Sequence, residues 1–461
     1  MTRERIGTPG RVVSRGRVPL KSLSGFFSLL VIAMAAGRPA IEPALAASDD
    51  TIIVSSSAEL VAALTPENAG RRIVVRAGSY VIDQPLTVPD GAMLEGEGVM
   101  LLDDGGLPAG FADGTRTTLT VTANIPGNVL TLRNGATVQG LEIADLPGRS
   151  GNAIGVVSGA PGDRVSATIA EIEIVNPNRH AMLDGPTGCG VVVLTANPSP
   201  NLGNDPPPHE GAAMSALIVR SLIHAPAVTG VGCGLFAFNF ASFGSVTVTL
   251  ADNVVGGGII ANGGVSRPDA VHDSEVSVQS HRNLYRDDSP DPCGTRHLGW
   301  HLRGGSSVPL QIPLPETSKN ALRMHSVDDS IEGFTTGIYA QSGGRFFPIH
   351  GQANDNSIDL ELLGTTISTP SCGGASFVAD LRLAAAGSSA TGNGNRLRAV
   401  IRRVTGSGPR LNNLFGDVLG PPGSFPGDNH LLIVGSPEAF SQTNRGIEAP
   451  PGPEFFSSNR Q

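Results

Sequence analysis

Asp355-Asn356-Ser357-Ile358-Asp359-Leu360 decides the fold: an Asp-Asn pair leads into a strict polar and apolar alternation, and the unit recurs. It reads again as Gly127-Asn128-Val129-Leu130-Thr131-Leu132, Asp252-Asn253-Val254-Val255, Gly394-Asn395-Arg396-Leu397-Arg398-Ala399-Val400 and Asp428-Asn429-His430-Leu431-Leu432-Ile433. Period-two alternation marks a strand with one buried face. A turn signal plus a short strand, repeated along the chain, is what stacked coils require, because one coil cannot bury its apolar face alone. From Asn356 the next two units follow at 39 and then 34 residues. Spacing that irregular hangs insertions from the coils, and insertions are where a site would lie.

Working outward, no helix-length apolar period interrupts the short β-rich runs between residue 70 and the C-terminus. Parallel strands therefore cannot be joined by crossover helices as in an α/β domain. The 60 Gly and 35 Pro, with 4% aromatic and 40% hydrophobic residues, suit many short strands and tight turns. A hairpin-linked sandwich stays open as the alternative, since Asp90-Gly91, Asn134-Gly135 and Asn262-Gly263 are hairpin-type dipeptides. The one helix expected is short: a Ser N-cap among Ser55-Ser56-Ser57 opens it, Leu60, Val61 and Leu64 share a face, and Pro66 and Gly70 end it.

The ends carry their own signals. Arg3, Arg5, Arg11, Arg15, Arg17 and Lys21 precede an uncharged run from Ser22 to Gly37, and Ala44-Leu45-Ala46 offers small residues for a peptidase. Residues 1–47 thus read as a signal peptide cut after Ala46 or Ala47, giving a secreted or periplasmic bacterial-type protein. Residues 48–445 are expected to form a single parallel β-helix domain, and 446–461, with Pro450-Pro451-Gly452-Pro453, a disordered tail. No later run is long and apolar enough to span a bilayer. The formal charge of −9 becomes −14 without the +5 of residues 1–47, which disfavours nucleic acid as a partner. A neutral glycan suits that charge; an acidic one needs a local basic groove or bridging metal. Nothing in the sequence speaks to oligomeric state.

Each of the four cysteines precedes a glycine, placing them at turns. In an oxidising compartment they form two bridges among three pairings, and Cys189–Cys233 with Cys293–Cys372 is the preferred set. A zinc site would need a close cysteine pair that this chain lacks.

The stretch Ile73-Val74-Val75-Arg76-Ala77-Gly78-Ser79-Tyr80, followed by Pro85-Leu86-Thr87-Val88-Pro89-Asp90-Gly91-Ala92-Met93-Leu94-Glu95-Gly96-Glu97-Gly98, resembles the first coils of pectin-lyase-like proteins. The likeness is sharp over residues 55–100 and only architectural after about 180. It implies an all-β, right-handed parallel β-helix with an N-terminal capping helix, and a preference for polysaccharides. It transfers no catalytic motif: the paired-aspartate and Gly-His-Gly signatures of polygalacturonase-type hydrolases are missing, Ile349-His350-Gly351 being the nearest trace.

Residues 267–303 are the densest polar segment, with Arg267, Asp269, His272, Asp273, Glu275, His281, Arg282, Arg286, Asp287, Asp288, Asp291, Arg296, His297, His301 and Arg303. The expected catalytic set is Asp287, Asp288, Arg286 and His281; the expected substrate-binding set is Trp300, Tyr285 and Arg303. An exposed Trp300 would stack on a sugar ring. Lyase chemistry on a uronic acid needs its carboxylate neutralised, the C5 proton removed and the leaving oxygen protonated, which Arg, His and Tyr can share. Hydrolysis needs two carboxyls roughly 5–9.5 Å apart, supplied by Asp287 or Asp288 with Asp269, Asp273 or Asp291. Calcium would enter only with lyase chemistry, and no metal ligand is assigned.

The bland account makes Tyr285–Cys293 a solvated, disulfide-held loop and His297 and His301 a surface pair. Lesser candidates are Ser326–Glu332, where alternation sends Asp328 and Asp329 to opposite faces, and Asn176–His180. The functional expectation is a protein that binds, and cleaves, an extracellular polysaccharide; the alternative is a non-catalytic surface or adhesion scaffold.

Overall fold

The computed structural model describes residues 51–461 except 123–124, 126, 145–151, 176–187, 197–208, 225–232, 267–269, 290, 292, 294–296, 308–315, 346–352, 373–376, 383–393, 408–411, 416–428, 436–453 and 460–461. The chain winds through three long sheets in turn, A, B and C, of 13, 10 and 11 strands. Within them every pairing is parallel and in register except the last in sheet A, where Asn429–Gly435 meets Glu454–Asn459 antiparallel. This is a right-handed parallel β-helix, and residues 50–461 make one compact unit. The segment expected to be a disordered tail thus contributes the strand Glu454–Asn459.

Period two explains the core. Strand Glu275–His281 buries Val276, Val278 and Ser280 and turns Ser277 and Gln279 outward. In seven successive three-residue strands of sheet B the middle side chain points in: Ile143, Ile174, Ile223, Val255, Tyr285, Ile331 and Ile367 form one buried column. At the N-terminal end, Ser56 caps the helix Ser57–Ala63 by accepting from the Glu59 N–H, and Leu60 and Leu64 close the core.

The corner from A to B has a fixed form. Two residues connect the strands, the first left-handed (Arg220, Asp252, Arg282, Asp328) and the second turned inward (Ser221, Asn253, Asn283, Asp329). The inward residues stack as a ladder: the backbone N–H groups of Ser221, Asn253 and Asn283 donate to the side-chain oxygens of Asn253, Asn283 and Asp329 at 2.8–2.9 Å. A second ladder, Ser274, Asn320, Asn356 and Asn395, runs up the corner from C to A. Both satisfy backbone donors that would otherwise be buried without partners. Of the recurrent Asn residues, Asn253, Asn356 and Asn395 are ladder residues, whereas Asn128 lies in the sheet C strand Asn128–Leu132 and accepts from Asn152. The Asp-Gly and Asn-Gly pairs at Gly91 and Gly135 supply left-handed residues to parallel corners, not to hairpins (φ 66° and 74°).

The disulfides are Cys189–Cys233 and Cys293–Cys372, as preferred. The glycine after each of the first two has a packing reason. A Cβ on Gly190 would lie 2.8 Å from the Gly234 carbonyl oxygen, and one on Gly234 would lie 2.4 Å from that of Gly256, so the backbones meet where a side chain would stand. Gly294 and Gly373 lie outside the described residues.

Candidate active site

Chain length varies where sheet B hands over to sheet C. Two residues connect Gly256 to Ile259, whereas eleven, 287–297, connect Arg286 to Leu298. Beside this corner the outer face of sheet B carries a continuous charged strip.

Stacking places Glu142 beside Glu173 on adjacent strands, and Val175, His224, Gly256, Arg286 and Glu332 in one outward column. Arg116 reaches Glu142 (3.3 Å) and Glu173 (3.5 Å). Glu173 Oε1 then lies 3.9 Å from His224 Nε2, and the other ring nitrogen, Nδ1, lies 3.5 Å from Asp288 Oδ2. Asp288 accepts from Arg286 Nε at 2.8 Å. Gly256 makes the notch: a Cβ there would meet Asp288 Oδ2 at 2.1 Å, so only glycine lets the carboxylate fold back toward His224.

The two carboxyls around His224 occupy different environments. Glu173 is nearly buried, and burial pushes its carboxyl above the usual range; Glu142 adds to the rise while Arg116 and His224 oppose it. Asp288 has a closer guanidinium partner, Arg286, than Glu173 has in Arg116. Each has one buried oxygen, Glu173 Oε2 and Asp288 Oδ2, without a hydrogen bond. A hairpin, Met100–Leu102 with Pro108–Phe111, walls the strip, and a Cβ on Gly110 would lie 3.9 Å from Glu173 Oε2. A buried carboxyl that holds its proton, set across an imidazole from a second carboxyl, is suited to an acid role. Among the described residues, no group of three or more His, Cys, Asp or Glu side chains is arranged to hold a metal ion.

Of the expected catalytic residues, Arg286 and Asp288 sit in this strip. Asp287 stands next to it but is sealed: its Oδ2 meets His297 Nδ1 at 2.5 Å, its N–H donates to the Glu332 carbonyl, and both side chains are at most 2% exposed. This pair pins the 287–297 connection. His281 is elsewhere, on the outer face of sheet A near His325, and its imidazole is pushed below the ordinary value by burial and then by His325. Asp273 closes the corner from C to A and Asp291 caps the Cys293 N–H, so neither partners Asp288; Arg267, Asp269 and Arg296 lie outside the described residues.

The expected substrate-binding residues are corrected by burial. Trp300 and Tyr285 are 0% exposed and pack edge to face inside the coil, 5.4 Å between centroids. Strand parity puts them there: Trp300 alternates with His301 and shares the inner face with Leu302. Arg303 lies on the outer face of sheet C but is covered, donating from Nε to His301 Nε2 at 2.8 Å. His297 and His301, expected at the surface, are both 2% exposed. The outer face of sheet C carries a second apolar layer, with Val192, Leu194, Phe236, Phe238 and Ile260, which continues into Tyr339. Asp328 and Asp329 belong to a corner and not to one strand, and Asp329 points inward. Asn176–His180 and His350 lie outside the described residues.

Sequence reasoning missed Glu173 and His224. Each ends or opens an unremarkable three-residue strand, and only the parallel stack carries them to Asp288.

No protein-family model matches this chain, and no curated protein is similar enough to count as a relative.

Proposed function

We propose that this protein is an exported, pectin-lyase-like β-helix that binds an extracellular polysaccharide across the outer face of sheet B and hydrolyses it there. The observation that carries the reading is the meeting of Glu173 and Asp288 at the two nitrogens of His224. Glu173, held neutral to higher pH by burial, is suited to protonate the glycosidic oxygen. Asp288, paired with Arg286, is suited to activate water or attack the sugar carbon. His224, 30% exposed, lies between them, and Arg116 and Arg286 supply donors for sugar hydroxyls. Two disulfides fit an oxidising compartment, and no helix among the described residues is long and apolar enough to cross a membrane.

A scaffold reading has one observation in its favour: Arg116, Glu142, Glu173, His224, Arg286 and Asp288 each have an opposite neighbour, as in a static ion-pair network. Incubation with a panel of neutral and uronic glycans separates the readings. New reducing ends without unsaturation support hydrolysis, unsaturated products indicate a lyase, and no product on any glycan indicates a scaffold.

A further inference from the structure

Phe243 is out of place twice. It occupies the left-handed position that opens the corner from sheet C to sheet A, with φ 58°. Equivalent corners put Gly211, Asp273, Lys319, Asp355 and Gly394 there. A bulky aromatic in this region is a backbone outlier, since its Cβ crowds the following carbonyl. It is also 62% exposed, the one aromatic among the exposed large hydrophobic side chains of the described residues. An exposed phenyl group held in a strained backbone buries little in return, so its presence there points to a ligand.

Its neighbours give that ligand a chemistry. The Phe243 N–H donates to the His272 carbonyl at 3.1 Å, bringing the two corners side by side. The His272 ring stands perpendicular to the phenyl ring, 88° between planes and 4.9 Å between centroids. Whichever ring offers its edge, the imidazole covers at most one phenyl face. His272 Nδ1 meets Asp273 Oδ2 at 3.1 Å, and these side chains are 42% and 45% exposed. One open aromatic face, with an imidazole and a carboxylate at its rim, matches a pyranose: apolar C–H groups on one side and hydroxyls around the edge.

We propose that Phe243, His272 and Asp273 form a sugar-binding platform on the corner from C to A, separate from the strip on sheet B. The phenyl ring stacks on one sugar residue while His272 and Asp273 hold its hydroxyls, anchoring a long chain. The platform rests on the glycan reading above.

The test compares Phe243→Gly, Phe243→Trp and wild type by affinity electrophoresis in each polymer of the glycan panel, with melting temperature alongside. Phe243→Gly should bind at least fivefold more weakly while melting at or above the wild-type temperature, because glycine relieves the left-handed strain; Phe243→Trp should keep binding. Equal affinity of wild type and Phe243→Gly for a bound polymer overturns the platform alone. A wild-type protein that enters no complex with any polymer overturns both the platform and the glycan reading. Weaker binding with a lowered melting temperature, unrescued by Trp, assigns Phe243 to the fold and also overturns the platform.

Discussion

The corners from A to B and from B to C are built from the same chain a few residues apart, yet they solve opposite problems. From A to B, successive coils use two residues, a left-handed one and an inward one, and in four of them the inward side chains are polar and join into Ser221, Asn253, Asn283 and Asp329. From B to C, length runs from two residues to fifteen, and the charges beside the eleven-residue connection, Arg286 and Asp288, face outward. Uniform corners hold the stack; variable corners are free to carry chemistry. Acidic groups show the difference. Asp329 is enclosed by its hydrogen bonds, whereas Glu173 and Asp288 each keep a buried oxygen without one.

Breaking the outward side should have the largest effect. Glu173→Gln keeps the shape of the side chain but cannot donate a proton, so turnover should fall by about 10³-fold while the melting temperature stays within a degree or two. Rates and thermal melts on the same preparation check this; a full rate retained by the variant removes Glu173 from the chemistry.

Next comes the inside. Trp300→Ala empties the coil beside Tyr285 and should lower stability by about 4 kcal/mol in denaturant titration. An exposed, sugar-stacking indole would instead give a small stability change and a loss of binding.

Asp329 sharpens the comparison through pH. Burial raises its pKa from 3.8 to about 6, against hydrogen bonds from Ser326 and Asn283. The folded value lies above the unfolded one, so its contribution is full below about pH 4 and is lost as pH rises through about 6. Asp329→Asn keeps an acceptor for the Asn283 N–H and carries no charge. It should therefore stabilise the protein above pH 7 by up to about 3 kcal/mol and have little effect at pH 4. Melts at both pH values decide; an equal shift at each would remove the carboxyl's titration from the account.

The smallest effect expected is a shift in a pH profile. Arg116 opposes the rise in the Glu173 pKa and Glu142 adds to it. Arg116→Ala should move the alkaline limb of activity upward, and Glu142→Gln should move it downward.

Much of this architecture was legible. Asp252-Asn253 and Asp355-Asn356 mark corners because Asp tolerates the left-handed backbone at the first position while the Asn side chain at the second bonds a neighbouring coil. The short helix was equally readable from Ser56, Leu60 and Leu64. Trp300 and Tyr285 were misread although parity was available: Tyr285 is the middle residue of Leu284-Tyr285-Arg286, the inward place in the neighbouring sheet B strands. Glu173 and His224 carried no local signal. They meet Asp288 across 115 and 64 residues of sequence, and that proximity exists only once coils of unequal length are stacked.

The most direct measurement is a double-mutant cycle on reducing-end release using Glu173→Gln, Asp288→Asn and the pair together. If both act on one glycosidic bond, either single change should remove nearly all turnover and the double variant should be scarcely slower. Losses that multiply, or single variants that work at the wild-type rate, would contradict a shared site on sheet B.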